Sequence, residues 1–91
     1  MFNKLKQFKD LRQQAKTMQS VLEKESVTEE RNGIKVVMNG NMEITELTIT
    51  NEESATEIAR LTKGVVNDAI KKVQRLMAKK MQEMGGIPGM N

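Results

Sequence analysis

The stretch "VTEERNGIKVVMNGNMEITELTIT", residues 27–50, decides the fold. It holds two Asn-Gly pairs, Asn32-Gly33 and Asn39-Gly40, each between runs rich in β-branched residues. Asn-Gly is the preferred pair of a two-residue type I′ turn, because both central positions need a positive φ. Two such turns predict a three-stranded antiparallel meander. The expected strands span residues 27–31, 34–38 and 42–50.

Two-residue turns also fix which residues face each other across the strands. Arg31 would pair with Ile34 and Met38 with Asn41, and the remaining pairs follow by counting outward from each turn. One face of the sheet then carries six apolar side chains that we expect to meet the helices. These are Val27, Ile34, Val36, Met38, Leu47 and Ile49.

The opposite face of the predicted sheet collects Val37, Met42 and Ile44. Nothing else in so small a chain is expected to cover this apolar patch, which makes it a candidate dimer interface with a second copy. A β-bulge near Thr45 and Glu46 is the alternative, because one extra residue would return Met42 and Ile44 to the first face. Both interpretations stay open at the level of sequence.

Long helical segments flank the meander on both sides. In residues 2–24, apolar residues recur at alternating steps of three and four, as in the seam of a helix that packs against a partner. That seam consists of Phe8, Leu11, Ala15, Met18 and Leu22. The second helix opens with a capping box, in which the Ser54 side chain and the Glu57 carboxylate each satisfy a backbone N–H. It runs to about Met84, where Gly85-Gly86 follows.

The order and lengths of these segments predict an α+β chain, α-β-β-β-α. Residues 1–84 form a single domain, and the Gly-rich tail at 85–91 is expected to be disordered. A globule of this length is on the order of 30 Å across, whereas a helix of about 30 residues is about 45 Å long. The helices should therefore project beyond the sheet as arms, antiparallel to each other and sharing their apolar stripes.

The composition excludes most catalytic chemistry. The chain has 91 residues, of which 37% are hydrophobic, and it contains no cysteine and no histidine. Thiol nucleophiles, imidazole acid–base catalysis and the usual zinc ligands are missing, so we expect no enzyme, no metal and no cofactor. The N-terminal residues lack the apolar region of a signal peptide, and no 18-residue apolar run occurs. A cytoplasmic location is the expectation.

Charge is distributed unevenly along the chain, whose net charge is +3. Counting Lys and Arg against Asp and Glu gives +4 for residues 1–24, −5 for residues 25–54 and +4 for residues 55–91. The stretch "NDAIKKVQRLMAKK", residues 67–80, places basic side chains on one side of a helical wheel and apolar ones on the other. A similar basic stripe lies on the first helix. The candidate contact residues are Lys6, Lys9, Arg12, Lys16, Lys71, Lys72, Arg75 and Lys79.

Basic rows of this kind suit a polyanionic partner, since extended rows of Lys and Arg contact phosphates and release counterions. The chain has no Trp or Tyr for stacking on unpaired bases, so duplex DNA read mainly through its backbone is favoured. Another interpretation is a solvated helix face whose cations complement the helix dipole. Residues 1–11 could also lie on a membrane surface, but their apolar positions continue the packing seam, and no membrane partner is expected.

The order of these segments is similar to that of a known family. A basic first helix precedes "VVMNGNMEITELTI", residues 36–49, and "VVNDAIKKVQRLMAKKM", residues 65–81, before a Gly-rich tail. Over nearly its whole length the chain resembles the YbaB/EbfC family of bacterial nucleoid-associated proteins. The most specific parts of the resemblance are the Asn39-Gly40 turn and the tripeptide Asn67-Asp68-Ala69.

The resemblance implies a homodimer whose sheets and adjoining helices associate, while the long helices project as a pair of tweezers. It also implies binding of double-stranded DNA by the charged arms, here the basic stripes, and a location in the nucleoid. Many family members are acidic overall, so the net charge of +3 is a departure. We expect a nucleoid-associated protein of low sequence specificity. The alternative is an adaptor that holds replication or recombination proteins through the apolar and methionine-rich ends of its arms.

Overall fold

The computed structural model describes residues 2–83, with side chains from Lys6 onward. Along the chain, two helices flank a three-stranded antiparallel sheet whose strands lie side by side in chain order, which confirms the predicted α+β class and α-β-β-β-α order. The expected end of the last helix at Met84 and the expected disordered tail at 85–91 lie outside the described residues. The elements are α1 (Phe2–Glu23), β1 (Ser26–Arg31), β2 (Ile34–Asn39), β3 (Ile44–Ile49) and α2 (Ala55–Glu83).

The first Asn-Gly pair forms the predicted turn. Asn32 has φ 52° and Gly33 has φ 79°, the left-handed values that a type I′ turn needs at both central positions. Arg31 pairs with Ile34 across the turn, as predicted. The register of β1 on β2 follows from this pair, so Val27 lies opposite Met38.

The second Asn-Gly pair does not form a two-residue turn, and the predicted pairing of Met38 with Asn41 is wrong. β2 continues through Asn39, whose backbone N–H donates to the Glu43 carbonyl at 2.9 Å. The Met42 N–H donates to the Asn39 carbonyl at 3.0 Å, and Met42 takes the left-handed φ of 60°. This is a three-residue hairpin loop, 40–42, whose last residue is left-handed.

Two contacts explain why this loop differs from the prediction. The buried Asn39 side chain organises the loop, since its Oδ1 accepts hydrogen bonds from the N–H groups of Asn41 at 2.9 Å and Glu43 at 3.1 Å. Gly40 meets α1, and its N–H donates to the Leu22 carbonyl at 2.9 Å. A Cβ at Gly40 would lie 2.5 Å from that carbonyl oxygen. The glycine is therefore needed for close approach to α1 and not for a positive φ.

A β-bulge then shifts the register of β3. Val37 lies opposite Glu46 but Met38 lies opposite Ile44, which leaves Thr45 as the extra residue. Ile44 therefore shares the face of Met38, as the bulge alternative predicted. The grouping of Val37, Met42 and Ile44 on one face is wrong, because Val37 points to the opposite side of the sheet and Met42 lies in the loop.

The core lies between α2 and part of one sheet face. Three side chains of β2 meet three of α2 spaced four residues apart, the spacing of one helix face. The buried set is Ile34, Val36, Met38, Val65, Ala69 and Val73. The helix packs on β1 and β2, so the core-side residues of β3 stay open, with Leu47 48% and Ile49 44% exposed. The expectation that these two side chains meet the helices is therefore not confirmed in the single chain, where about half of each side chain stays exposed.

The first helix projects away from this body. Only its last turns are held, with Leu22 buried beside Gly40, while Phe8 and Leu11 are each 61% exposed. Within the described chain α1 does not pack along α2, so the predicted shared apolar seam is wrong. The molecule is 61 Å long, whereas the 29 residues of α2 span only about 44 Å. The predicted projection is confirmed, because α1 extends the molecule beyond α2.

Candidate nucleic-acid interface

The most continuous cationic surface lies on α2. Lys71, Arg75 and Lys79 follow one another at four-residue steps, all three are exposed, and none is in an ion pair with another described side chain. Such neighbours lie on one helix face about one turn apart, so the row is about 12 Å long. We call these three residues the α2 basic row. Its side chains are available to an anionic partner without the loss of an internal contact.

Lys72 was predicted to belong with these residues, but its side chain is engaged elsewhere. Its Nζ lies 2.8 Å from Oε2 of Glu29 in β1 and donates to the Thr28 carbonyl at 3.4 Å. The Glu29 side chain is only 22% exposed, so the pair is screened by solvent less than a fully exposed one. The helical wheel gave Lys72 a place on the basic face but could not show which strand lies next to it.

Lys80 is held in the same way near the end of α2. Its Nζ lies 2.9 Å from Oε1 of Glu25, just before β1, and 3.4 Å from Oε2 of Glu83. The hydrogen bond and charge of Glu25, and then the charge of Glu83, raise the pKa of Lys80 above its ordinary value of 10.5. Sequence reasoning did not single out this lysine, since its partner Glu25 is 55 residues away along the chain.

A third pair completes a row of contacts between α2 and the β1 edge. Arg31 donates to Asp68 at 2.9 Å, so the charge of this α2 carboxylate is compensated from the sheet. The pairs run in opposite directions along the two elements, which shows that α2 lies antiparallel to β1. We call them the β1-edge ion pairs. They are Arg31–Asp68, Glu29–Lys72 and Glu25–Lys80.

The basic stripe of α1 forms a second surface. Its side chains are all exposed, and none is in an ion pair among the residues whose side chains are described. Because α1 does not pack along α2, one chain presents two separate basic surfaces and not one continuous patch. We call this set the α1 basic row. It consists of Lys6, Lys9, Arg12 and Lys16.

No group of three or more acidic side chains lies close enough together to hold a metal ion between residues 2 and 83. Neither described helix has an apolar stretch sufficient to cross a bilayer.

Comparison with known proteins identifies the family. The family model of the YbaB/EbfC DNA-binding family matches residues 1–87, almost the entire chain. The chain therefore belongs to the YbaB/EbfC DNA-binding family, as its sequence order indicated. No curated protein and no solved structure matches it significantly.

Proposed function

We propose that this chain is a nucleoid-associated protein that binds double-stranded DNA with low sequence specificity. The observation that carries the proposal is the α2 basic row, an exposed line of three cations that have no partner among the described side chains. Membership in a DNA-binding family supports the same role. The α1 basic row adds a second line of contacts on the projecting helix.

Low specificity follows from the chemistry available to these surfaces. Lys and Arg on an exposed helix contact phosphates, and phosphate contacts position a protein without reading sequence. The chain has no Trp or Tyr to stack on bases, so sequence-selective binding of unpaired strands lacks its usual platform. The binding energy is then largely electrostatic and falls as salt concentration rises.

We further propose that two copies assemble through the open side of the core. Ile44, Leu47 and Ile49 lie on the core face of β3 with nearly half of each side chain exposed. Beside them, Val66 and Ile70 lie on the side of α2 that points away from β1, and both are only half-buried. A symmetric dimer needs one patch that complements itself, and this apolar surface fits that need.

Of the predicted interface residues, Ile44 belongs to this open surface and Met42 lies in the loop at its end. Val37 does not, since it is on the opposite face of the sheet. We call Ile44, Leu47 and Ile49 the β3 patch. A dimer would bring two copies of each basic row to one duplex and so double the number of phosphate contacts.

Fluorescence anisotropy with a labelled duplex, measured over a series of salt concentrations, tests DNA binding. Log affinity against log salt falls with a slope of about 0.9 per phosphate contact. Replacing Lys71, Arg75 and Lys79 by Glu should abolish binding, while circular dichroism stays native because all three are exposed. Wild-type affinity that does not change between low and moderate salt would refute the mechanism.

A control variant separates the α2 basic row from total charge. Replacing Lys24, Lys35 and Lys63 by Glu reverses the same number of charges, and none of these residues belongs to either basic row. We expect this control to retain salt-dependent binding, with an affinity lowered only by the general field of the protein. Equal loss in both variants would mean that net charge, and not the row, determines binding.

The second candidate function is that of an adaptor for replication or recombination proteins. The observation in its favour is the exposed apolar seam of α1, where Phe8 and Leu11 are each 61% exposed. A partner helix could pack on such a stripe. Replacing both residues by Ala should then abolish those interactions with protein partners that persist after nuclease treatment. Binding to pure duplex DNA should stay unchanged.

A further inference from the structure

Two of the β1-edge ion pairs lie directly beside the α2 basic row. Lys72 is the neighbour of Lys71 along the chain, and Lys80 is the neighbour of Lys79. Their side chains turn to the sheet instead, where Glu29 and Glu25 hold them at 2.8 and 2.9 Å. Without these two carboxylates, the same stretch of α2 would present five cations and not three.

These two ion pairs contribute little to the stability of the fold. Partly exposed ion pairs contribute little to the free energy of unfolding because solvent screens them, and the Lys72 and Lys80 side chains are 49% and 26% exposed. Their effect on the binding of a polyanion is more important. A lysine already neutralised by a carboxylate of its own chain must give up that ion pair before it can neutralise a phosphate and release a DNA counterion, and the carboxylate repels the phosphate as well.

We propose that Glu25 and Glu29 set the edge of the DNA-contact surface by holding Lys80 and Lys72 out of it. Phosphate contacts on α2 are then confined to Lys71, Arg75 and Lys79. The duplex is kept on the outer face of the arm and off the β1 edge of the sheet. This inference rests on the proposed DNA binding and adds to it an acidic boundary.

The test compares two variants that gain the same formal charge. Replacing Glu25 and Glu29 by Gln releases both lysines, whereas replacing Glu52 and Glu53 by Gln adds equal charge in the loop at the other end of α2. Anisotropy titrations over salt should give a slope steeper than wild type by up to about 1.8 for the first variant, from two added phosphate contacts. The Glu52/Glu53 variant should keep the wild-type slope.

A third variant removes both pairs without changing net charge. Replacing Glu25, Glu29, Lys72 and Lys80 by Gln should restore the wild-type slope, because the released lysines are gone. The same variant tests the proposal if circular dichroism shows that the first variant is not folded. A salt slope shallower than that of wild type would show that the paired lysines already contact DNA, and would overturn the proposal.

The outcomes separate this inference from the proposed function. If wild type binds DNA with a normal salt slope and the Glu25/Glu29 variant matches it, only the acidic boundary is refuted. Equal steepening in the Glu52/Glu53 variant refutes it too, since general charge would then be the cause. If wild type shows no salt-dependent binding at all, the proposed function fails and the boundary fails with it.

Discussion

The guanidinium of Arg31 lies across Gly64 of α2. A Cβ at Gly64 would be 3.0 Å from Nη2 of Arg31, and the same nitrogen donates to Asp68 at 2.9 Å. Glycine inside a helix costs about 0.5–1 kcal/mol relative to alanine, so its presence in α2 calls for a local reason. The space it leaves allows Arg31 to cross one turn of α2 and reach Asp68, four residues further along the same helix face.

Replacing Gly64 by Ala should nevertheless raise the free energy of unfolding by up to about 1 kcal/mol. The new methyl group meets only the end of a flexible, half-exposed side chain, and loss of an exposed ion pair costs at most about 1 kcal/mol. Urea denaturation measures the change. In an Arg31→Gln background the same substitution should yield the full helix-propensity gain, and destabilisation in both backgrounds would contradict this account.

Replacing Gly40 by Ala should have the opposite sign. The added Cβ would lie 2.5 Å from the Leu22 carbonyl oxygen and 2.9 Å from the Leu22 Cα, and backbone atoms cannot rotate away. We expect a loss of about 1–3 kcal/mol, as for other overpacked sites, and faster amide exchange at the C-terminal end of α1. The Gly64→Ala variant is the matched control, and similar stability of the two variants would contradict the close approach.

The β3 patch predicts a position-dependent effect on assembly. Replacing Leu47 by Lys should convert the proposed dimer to a monomer, as measured by light scattering after size exclusion, because a charge would enter an apolar interface. Leu47 is 48% exposed in the single chain, so circular dichroism should stay native. Replacing the adjacent Thr48, which points to the other face, by Lys should leave the mass unchanged. A monomeric wild type would exclude this interface.

Because of Glu57 at the start of α2, we expect the stability of the folded state to decrease slightly at acid pH. The hydrogen bond from the Arg60 guanidinium, and then its charge, lower the pKa of Glu57 below its ordinary value of 4.5. A carboxyl whose pKa is lower in the folded state adds stability above its unfolded pKa and loses it as pH falls through the folded pKa. NMR titration should give a midpoint below 4.5 that rises when Arg60 is replaced by Gln. An unchanged midpoint would show that another group causes the shift.

The pair with Arg60 also revises the predicted capping box. The Ser54 hydroxyl accepts a hydrogen bond from the Glu57 N–H at 3.2 Å, as expected. The Glu57 carboxylate, however, is bound to Arg60 one turn further along the helix. The sequence shows both possible partners of Glu57, but the choice between them depends on side-chain geometry.

Local patterns of the sequence were enough to predict most of the fold. The change in the spacing of apolar residues predicted the helices and strands. Asn32-Gly33 predicted one turn, because the conformation of that turn depends only on those two residues. The Asn39-Gly40 turn could not be predicted in the same way. There the buried Asn39 side chain and the contact of Gly40 with Leu22 outweigh the local preference, and both depend on tertiary structure.

The residues of the candidate site also divide into those that local sequence predicts and those whose role depends on tertiary structure. Lys71, Arg75 and Lys79 could be found from helical spacing, since exposure on the outer face of a helix follows from periodicity. The pairing of Lys72 and Lys80 could not, because the carboxylates that hold them come from positions 43 and 55 residues earlier. Their register against α2 is set by how the helix packs on the sheet.

The extra residue in β3 bears on the exposed edge that this strand gives the sheet. β3 is an edge strand of the sheet, and its core-side apolar residues are half exposed. A flat strand of this kind would be a template for endless strand addition and fibre growth. The bulge at Thr45, whose hydroxyl donates to the Val37 carbonyl at 3.3 Å, bends the strand and interrupts its regular ladder. An irregular edge is a poor template for the addition of a further strand.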